Sequence, residues 1–344
     1  MKKLVGTRTG KVWSTKLILV VVTTIVISIG NLYSSGKTET NDEFEKIRVY
    51  IQVWLSKLDL DKTIMSSSYL KVKIVDDWGN QSKNFQIVSV RKPDDYINAG
   101  HIPFAINTYW VDILTDNCLS QFDRNKTQIL YCYYGHGSMI TYTILSLLGY
   151  KCNSLDFGMM DWNLDALVKK PWDKEADYDV ETTRNIPKEF YHPPIITCEQ
   201  ADVKDIIKEM AIKYLAGEGS PVVYSSDIKA IIDNWDIKKV EYQVVDVRSK
   251  RDYETAHIPH SINIPLTKIA EIENLKKLDP NRPVIVYSEN GQTGQLATTV
   301  LSLLGYHAVN MLFGMMDWNK VYVERSKLWD GSANYPVEQK KSVR

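Results

Sequence analysis

Cysteine and histidine are scarce in this sequence, and their spacing argues against the common structural metal sites. The 344 residues include four cysteines and six histidines. No two cysteines form a CxxC pair, and no histidine pair follows a cysteine at zinc-finger distance. We therefore expect no metal and no other cofactor. The length of the chain separately excludes a single small disulfide knot.

The sequence also lacks an excess of charge of either sign. Its 42 lysines and arginines balance 42 aspartates and glutamates, so the formal net charge is zero. This balance argues against nucleic-acid binding, which depends on a basic surface. Hydrophobic residues make up 44% of the chain and charged residues 24%, which is typical of folded domains. The length predicts two domains.

Long apolar runs are absent except near the amino terminus. Residues 1–16 carry five basic residues and no acidic one, and the run from Leu17 to Ile29 is uncharged. The basic side of such a segment stays in the cytoplasm. Residues 1–36 are therefore predicted to contain a hydrophobic helix that is either a signal anchor, held in the membrane through residues 17–33, or a cleaved signal peptide. The body is expected outside the cytoplasm, in a periplasm, on the cell surface or secreted.

An internal repeat divides the rest of the chain. The segment YCYYGHGSMITYTILSLLGY at 131–150 aligns with YSENGQTGQLATTVLSLLGY at 287–306, and FGMMDWN occurs at 157–163 and again at 313–319. A polar stretch with several prolines separates the copies near residue 195. The repeat predicts two domains, each expected to fold by itself. The predicted segments are a first domain at 42–183, a linker at 184–198, a second domain at 199–338 and a polar tail at 339–344.

Each copy alternates short apolar strands with helices. Residues 85–90 and 242–247 are β-branched runs, and 128–131 matches 284–287. The segment from Ser138 to Leu148 has the apolar spacing of a helix. Short apolar strands alternating with helices predict an α/β fold in each copy, with a parallel sheet covered by helices on both faces.

One strand-to-helix turn carries the chemistry. The strand at 128–131 ends at Cys132, and a glycine-rich turn leads into the next helix. The N–H groups of such a turn and the positive end of the helix favour an anion, including the thiolate of a cysteine at the mouth of the turn. Cys132 is therefore the predicted nucleophile. The predicted substrate-binding loop comprises Tyr133, Tyr134, Gly135, His136, Gly137 and Ser138.

These residues resemble the rhodanese-like sulfurtransferases. The resemblance covers both copies and rests on Asp246-Val247-Arg248 and Ser89-Val90-Arg91, on AHIPHSIN and GHIPFAIN, and on the cysteine loop that opens a helix. It implies tandem rhodanese-like domains and a persulfide on Cys132. The implied sulfur donor is thiosulfate, a persulfide or a polysulfide, and the acceptor is a thiol or cyanide. The resemblance also places Arg91, Arg248 and Asp246 near the site, in structural ion pairs at the strand ends.

Two departures from the family pattern refine this expectation. Ser288 occupies the place of Cys132 in the second copy, and a hydroxyl neither forms a persulfide nor ionises near neutral pH. The second domain is therefore predicted to be inactive. The Cys132 loop also lacks arginine and lysine, which leaves His136 as its one potential cation and keeps persulfides and polysulfides open as donors.

Other interpretations compete with sulfur transfer. A non-catalytic sulfur-binding or docking module would use the same fold to present a surface. A phosphatase of related loop architecture needs an arginine six residues after the cysteine, where this sequence has Ser138. In an oxidising compartment, Cys118, Cys152 and Cys198 would be free to form one disulfide of undetermined pairing.

Overall fold

Two parallel five-stranded sheets follow one another along the chain, in a computed structural model that describes residues 41–173, 176–217 and 221–339. The strand orders are β1-β5-β4-β2-β3 and β6-β10-β9-β7-β8, so the second sheet repeats the first. The strands are β1 Ile64–Met65, β2 Phe85–Ser89, β3 Ile106–Asn107, β4 Thr127–Tyr131, β5 Cys152–Leu155, β6 Val222–Val223, β7 Gln243–Asp246, β8 Ile262–Asn263, β9 Val284–Tyr287 and β10 Ala308–Met311.

Helices connect successive strands and cover the sheets. The longest are α1 Asp42–Ser56, α7 His136–Leu147, α9 Val203–Leu215 and α14 Gln292–Leu303. The shorter α-helices are α2 Leu60–Thr63, α3 Ser67–Leu70, α4 Trp78–Gln81, α5 Pro93–Asn98, α6 Asp116–Leu119, α8 Met159–Trp162, α10 Ser225–Ile232, α11 Trp235–Lys238, α12 Lys250–Thr255, α13 Ile272–Leu275 and α15 Gly314–Trp318. A π-helix spans Lys71–Val75, and 3₁₀ turns span Trp110–Asp112, Leu266–Lys268, Lys320–Tyr322 and Arg325–Lys327.

The strands of the first sheet supply residues to a core on each face. Val88 and Leu130 belong to one buried cluster, and Ile87 and Ile129 belong to another. This division follows from the strand geometry, because successive side chains point to opposite faces of a sheet. The predicted α/β class, with two parallel sheets, is confirmed.

The first helix connects the two halves of the molecule. Asn41 caps α1 by accepting the N–H of Phe44, and its side-chain oxygen also accepts the N–H of Ile196. The apolar face of α1 belongs to a buried cluster that contains residues of both halves. On the same helix, Tyr50 donates to the carbonyl of Leu147 and Arg48 donates to that of Ala270. The halves therefore share a core.

The segments that follow α8 and α15 are exchanged between the halves. Residues 177–181, which follow the first copy, lie on the second half, where the indole of Trp318 donates to the carbonyl of Asp179 at 2.9 Å. Residues 335–338 lie correspondingly on the first half, where Trp162 donates to the carbonyl of Pro336 at 3.0 Å. An antiparallel bridge anchors each arm, Glu181 to His257 and His101 to Glu338. Each half is thus completed by the arm of the other copy.

The described residues belong to one compact unit. Among them, no helix combines the length and the apolar character that crossing a bilayer requires. The predicted signal anchor or signal peptide at 1–36 lies outside the described residues, as does most of the predicted tail at 339–344.

Candidate active site

Cys132 lies directly after β4, at the carboxyl edge of the first sheet, and is 4% exposed. The turn that follows it is shorter than the sequence pattern predicts, because α7 begins at His136 instead of near Ser138. Gly135 makes this early start possible, since it caps the helix with a φ of 93°, a left-handed conformation that side chains other than glycine rarely adopt. The turn therefore brings the helix start close to the sulfur.

The sulfur faces polar groups of its own loop. The N–H of Gly135 donates to Cys132 Sγ at 3.2 Å, and Ser138 Oγ lies 3.7 Å from the same atom. The Ser138 hydroxyl is itself held by the carbonyl of Gly135 and by Ser154 Oγ, both at 2.9 Å. The N–H of Gly135 and the positive end of α7 favour negative charge on sulfur. The predicted loop residues Gly135 and Ser138 are thus brought to Cys132.

The two loop tyrosines face different partners. The hydroxyl of Tyr133 donates to the carboxylate of Asp95, and its ring lies 5.9 Å from the guanidinium of Arg91 and 5.4 Å from the ammonium of Lys169. Burial and the Asp95 hydrogen bond raise the pKa of Tyr133, so the phenol stays protonated at neutral pH. Tyr134 instead donates to the carbonyl of Lys170 at 2.6 Å.

His136 points away from Cys132 and into the other half of the molecule. Its Nδ1 accepts from Asn310 Nδ2 at 2.9 Å, and burial lowers its pKa to about 3. The one potential cation of the loop is therefore neutral at physiological pH. Gln292, at the matching position of the second loop, crosses the interface in the opposite direction and donates to the carboxylate of Asp156.

The second loop has the same shape around an oxygen atom. Ser288 Oγ accepts the N–H groups of Gly291 at 3.1 Å and Gly294 at 3.0 Å, and the side chain is fully buried. Gly291 caps α14 with a φ of 86°. The residue after the serine is Glu289, whose carboxylate lies 2.9 Å from Lys327 Nζ. The second site is thus an amide cradle without a thiol.

The strand-end arginines are both buried, but only one has the predicted ion pair. Arg248 and Asp246 form a buried salt bridge at 2.6 Å. Ser89 stands where Asp246 stands in the second copy, and Arg91 donates to the carbonyls of Ala166 at 2.9 Å and Gly100 at 2.5 Å. No carboxylate among the described residues lies within ion-pair distance of Arg91. The predicted ion pair at Arg91 is therefore wrong, because serine has no charge to offer.

Two residues near the site escape detection by sequence reasoning. Lys169 reaches the ring of Tyr133 from the loop after α8, far from Cys132 in sequence. A Cβ placed on Gly137 would lie 3.5 Å from both Trp110 Cδ1 and Cys132 Cβ, so Gly137 is flanked by these two side chains. The pair of lysines after the GMMDWN segment could have indicated Lys169 as a residue near the site. No sequence pattern indicates Trp110.

The remaining cysteines offer no comparable site. All four cysteines are free thiols. Burial raises the pKa of Cys152, and burial with a hydrogen bond to Glu209 raises that of Cys198. Cys118 is buried beside the cap of α6. Of the four, Cys132 is the one that lies in a strand-to-helix turn.

A family model described as the rhodanese-like domain matches residues 75–165 and 226–321. The thiosulfate sulfurtransferase GlpE of Coxiella burnetii is 30% identical over 84 residues, which cover 24% of this chain and 77% of that protein. The thiosulfate sulfurtransferase PspE of Escherichia coli is 34% identical over 73 residues, which cover 21% of this chain and 70% of that protein.

Longer relatives match over a smaller share of their length. The adenylyltransferase and sulfurtransferase uba4 of Ogataea parapolymorpha is 29% identical over 99 residues, and the chain spans 25% of its length. Among solved structures, a thiosulfate sulfurtransferase from Pseudomonas aeruginosa aligns with 86% of this chain and 50% of its own, at 13% identity and a TM-score of 0.30.

Proposed function

We propose, from the premise that this chain belongs to the rhodanese-like domain family, that it transfers sulfane sulfur through a persulfide on Cys132. The observation that carries the proposal is the N–H of Gly135 directed at Cys132 Sγ at the start of α7. An amide donor and a helix terminus stabilise both a thiolate and the terminal sulfur of a persulfide.

The proposed reaction has two displacement steps. The Cys132 thiolate attacks the outer sulfur of the donor, so that one S–S bond forms and the donor's own S–S bond breaks. With thiosulfate the leaving group is sulfite, and with a persulfide it is a thiolate. An acceptor thiolate or cyanide then attacks the terminal sulfur of the persulfide and releases the Cys132 thiolate. No electrons are exchanged with an external oxidant or reductant.

The second half is proposed to support the fold without transferring sulfur. Ser288 receives two amide hydrogen bonds, but its hydroxyl would need a far larger pKa shift than helix and amide dipoles provide before it acted as a nucleophile. Asn310 of this half also binds His136 in the catalytic loop. The second half therefore contributes by holding the first loop in position.

The donor is proposed to be thiosulfate, a persulfide or a polysulfide. Two relatives that match over most of their length, GlpE and PspE, are named thiosulfate sulfurtransferases, which supports thiosulfate. Because His136 is neutral, it does not supply a positive charge that would bind thiosulfate. A persulfide and a polysulfide therefore stay open as donors.

The place of action is proposed to be outside the cytoplasm. The basis is the sequence of residues 1–36, where a basic stretch precedes the uncharged run from Leu17 to Ile29. A protease added to intact cells is expected to digest the body of an anchored form, or the culture medium or periplasm to contain a mature form. A body that remains fully protected, with no released form, would contradict this location.

Mass spectrometry of the intact protein tests the transfer chemistry. After incubation with thiosulfate or polysulfide, the parent is expected to gain one sulfur atom on the peptide that contains Cys132. Cys132→Ser should lose this addition and at least about a hundredfold of the transfer rate, because it removes the nucleophile of a covalent mechanism. Ser288→Ala is the matched control and should leave both unchanged. Absence of added sulfur with every donor would favour the non-catalytic binding module instead.

A further inference from the structure

Gly135 supplies the amide on which the candidate site depends. Its N–H is the one backbone donor that the described part of the chain directs at Cys132 Sγ, at 3.2 Å. The matching oxygen of Ser288 receives two such N–H groups. Glycine has a wider choice of backbone conformations than any other residue. The orientation of this single amide must therefore be fixed by what surrounds Gly135.

A side chain of the second half lies against this glycine. A Cβ on Gly135 would lie 2.7 Å from Cδ and 3.0 Å from Cγ of Gln292, so the glutamine fills the space that a side chain at position 135 would need. Gln292 is fully buried and is the first residue of α14. Its Oε1 has no N–H or O–H partner among the described residues, and a Cα–H of Gly135 points at it. Gln292 therefore forms the outer wall of the turn that holds the sulfur.

Asp156 fixes the other end of the Gln292 amide. Gln292 Nε2 donates to the Asp156 carboxylate, and the N–H of Asp156 donates to the carbonyl of Met65 at 2.8 Å. A glutamine side chain has several rotatable bonds, and a hydrogen bond at its tip restricts them. The glutamine of the second half is thus anchored on the same half as the glycine that it packs against.

The second half has the same contact in reverse, but with a different anchor. His136 lies against Gly291, where a Cβ would be 2.6 Å from His136 Cε1. Asn310 donates to His136 Nδ1 at 2.9 Å, whereas the residue that matches Asp156 in the second copy is Leu312. The repeat alone therefore does not produce the hydrogen bond between Gln292 and Asp156, which is particular to the half that contains the cysteine.

We infer that Gln292 is a positioning residue that keeps the N–H of Gly135 directed at Cys132 Sγ. Asp156 acts one step further back, by holding the Gln292 amide in place. Without this wall Gly135 has room to turn, and negative charge on the sulfur loses its amide donor. The inference rests on the proposed function, in which the same amide stabilises the thiolate and the persulfide of Cys132.

A titration of the Cys132 thiol tests this arrangement without a sulfur donor. The ultraviolet absorbance of the thiolate is followed against pH in the full-length protein, as the difference between each protein and its Cys132→Ser version. No reagent then has to reach a residue that is 4% exposed. Gln292→Ala removes the wall and is expected to raise the midpoint of the titration by about one pH unit, because a hydrogen bond to the charged sulfur is weakened.

Gln295→Ala is the matched control for this substitution. Gln295 is a second fully buried glutamine of α14, and its amide donates to Tyr214 Oη at 3.4 Å within the second half. Its replacement opens a similar space in the same helix without removing the side chain that covers Gly135. The midpoint of the Cys132 titration should therefore equal that of the parent.

Two substitutions of Asp156 separate its hydrogen bond from its charge. Asp156→Leu takes the residue of the second half, leaves Gln292 without its acceptor and should raise the midpoint by about half a pH unit. Loss of a nearby negative charge would by itself favour the thiolate and lower the midpoint, so the sign of the shift identifies the hydrogen bond as the cause. Asp156→Asn keeps an oxygen that accepts from Gln292, and its midpoint should not rise. Both variants retain Gln292, so they test the inference even if Gln292→Ala does not fold.

The outcomes separate this inference from the proposed function. A midpoint that does not rise in either Gln292→Ala or Asp156→Leu would overturn the inference, and an equal rise in Asp156→Asn and Asp156→Leu would overturn the role of Asp156. A parent that acquires no persulfide, but whose midpoint rises in these variants, would refute sulfur transfer and retain the positioning role. Persulfide formation together with an insensitive midpoint would do the reverse.

Discussion

The half with Cys132 and the half with Ser288 have the same sheet order and the same glycine-capped turn, yet they differ in the atom held in that turn. In one, an amide of the loop faces sulfur; in the other, two amides hold a hydroxyl oxygen. The turn is therefore a property of the fold and does not depend on the nucleophile. What distinguishes the candidate active half is the thiol of Cys132 in place of the hydroxyl of Ser288.

The exchanged arms show that the comparison is not between two separate domains. The arm at 177–181 packs on the half that contains Ser288, and the arm at 335–338 packs on the half that contains Cys132. The helices α7 and α14 also begin at an interface where His136 binds Asn310 and Gln292 binds Asp156. Each half therefore supplies contacts that complete the fold of the other half.

Cutting the chain at residue 195 is expected to have the largest effect. The repeat alone predicts two independent domains, whereas the shared core and the exchanged arms predict that neither fragment unfolds cooperatively by itself. Calorimetry of each fragment and of the two combined checks this. Co-expressed fragments should recover most of the parent's transition. A fragment that unfolds cooperatively near the parent's midpoint would contradict the shared core.

The sequence could predict the class of fold but not this exchange. The strands at 128–131 and 284–287 are recognisable because they are short β-branched or apolar runs before a glycine-rich turn. The predicted bounds of 42–183 and 199–338 keep each arm with its own copy, and this assignment is wrong, because each arm lies on the other half. The two arms have similar sequences, so either would fit either half. The two-residue strands β1 and β6 are too short to produce a periodic pattern.

The site was predictable in its chemistry and less so in its orientation. Cys132 and its turn follow from residue type and spacing. The direction of His136 does not, because a residue on a tight turn at a helix start can face either the bound group or the neighbouring half. Arg91 shows the same limit, since the sequence identifies Ser89 beside it but not which carbonyls take the place of aspartate.

The glycines behind each nucleophile position offer a smaller and more local test. A Cβ on Gly158 would lie 2.4 Å from the carbonyl oxygen of Cys132, and its φ is 54°. Gly158→Ala should therefore lower the free energy of unfolding by about 1–3 kcal/mol and displace the end of β4. Chemical denaturation measures the stability, and the transfer rate per folded molecule should fall.

Gly314→Ala is the matched control for this substitution. Its Cβ would lie 2.1 Å from the carbonyl oxygen of Ser288, at a φ of 52°, so a similar loss of stability is expected. The transfer rate per folded molecule should stay close to the parent's, because the displaced loop carries no nucleophile. Equal losses of transfer in the two variants would mean that displacement of the second loop reaches Cys132 through the contact between Asn310 and His136.

The smallest expected effect is a change in the pH dependence of stability on replacing His136 by the glutamine of the second half. Burial lowers the pKa of His136 to about 3, against about 6.5 in an unfolded chain. Between these values the unfolded state binds a proton that the native state does not, so this contribution is present above pH 6.5 and is lost as the pH falls. The slope is at most about 1.4 kcal/mol per pH unit. Urea unfolding of parent and His136→Gln at pH 7, 6 and 5 measures it.

Asp156 acts in the opposite direction and remains in both proteins. Burial raises its pKa to about 6, so its contribution is greatest in acid and is lost as the pH rises from about 4 to 6. The two slopes oppose each other in the parent, and removing the histidine leaves that of Asp156. The free energy of unfolding of His136→Gln, relative to that of the parent, should therefore rise by about 1 kcal/mol as the pH falls from 6 to 5. As a control, replacing the exposed His192 by glutamine should give a difference in stability from the parent that is the same at pH 7, 6 and 5. If His136→Gln were equally flat, the histidine would be exchanging protons with solvent, and the interface between the two loops would be more open than its hydrogen bond to Asn310 implies.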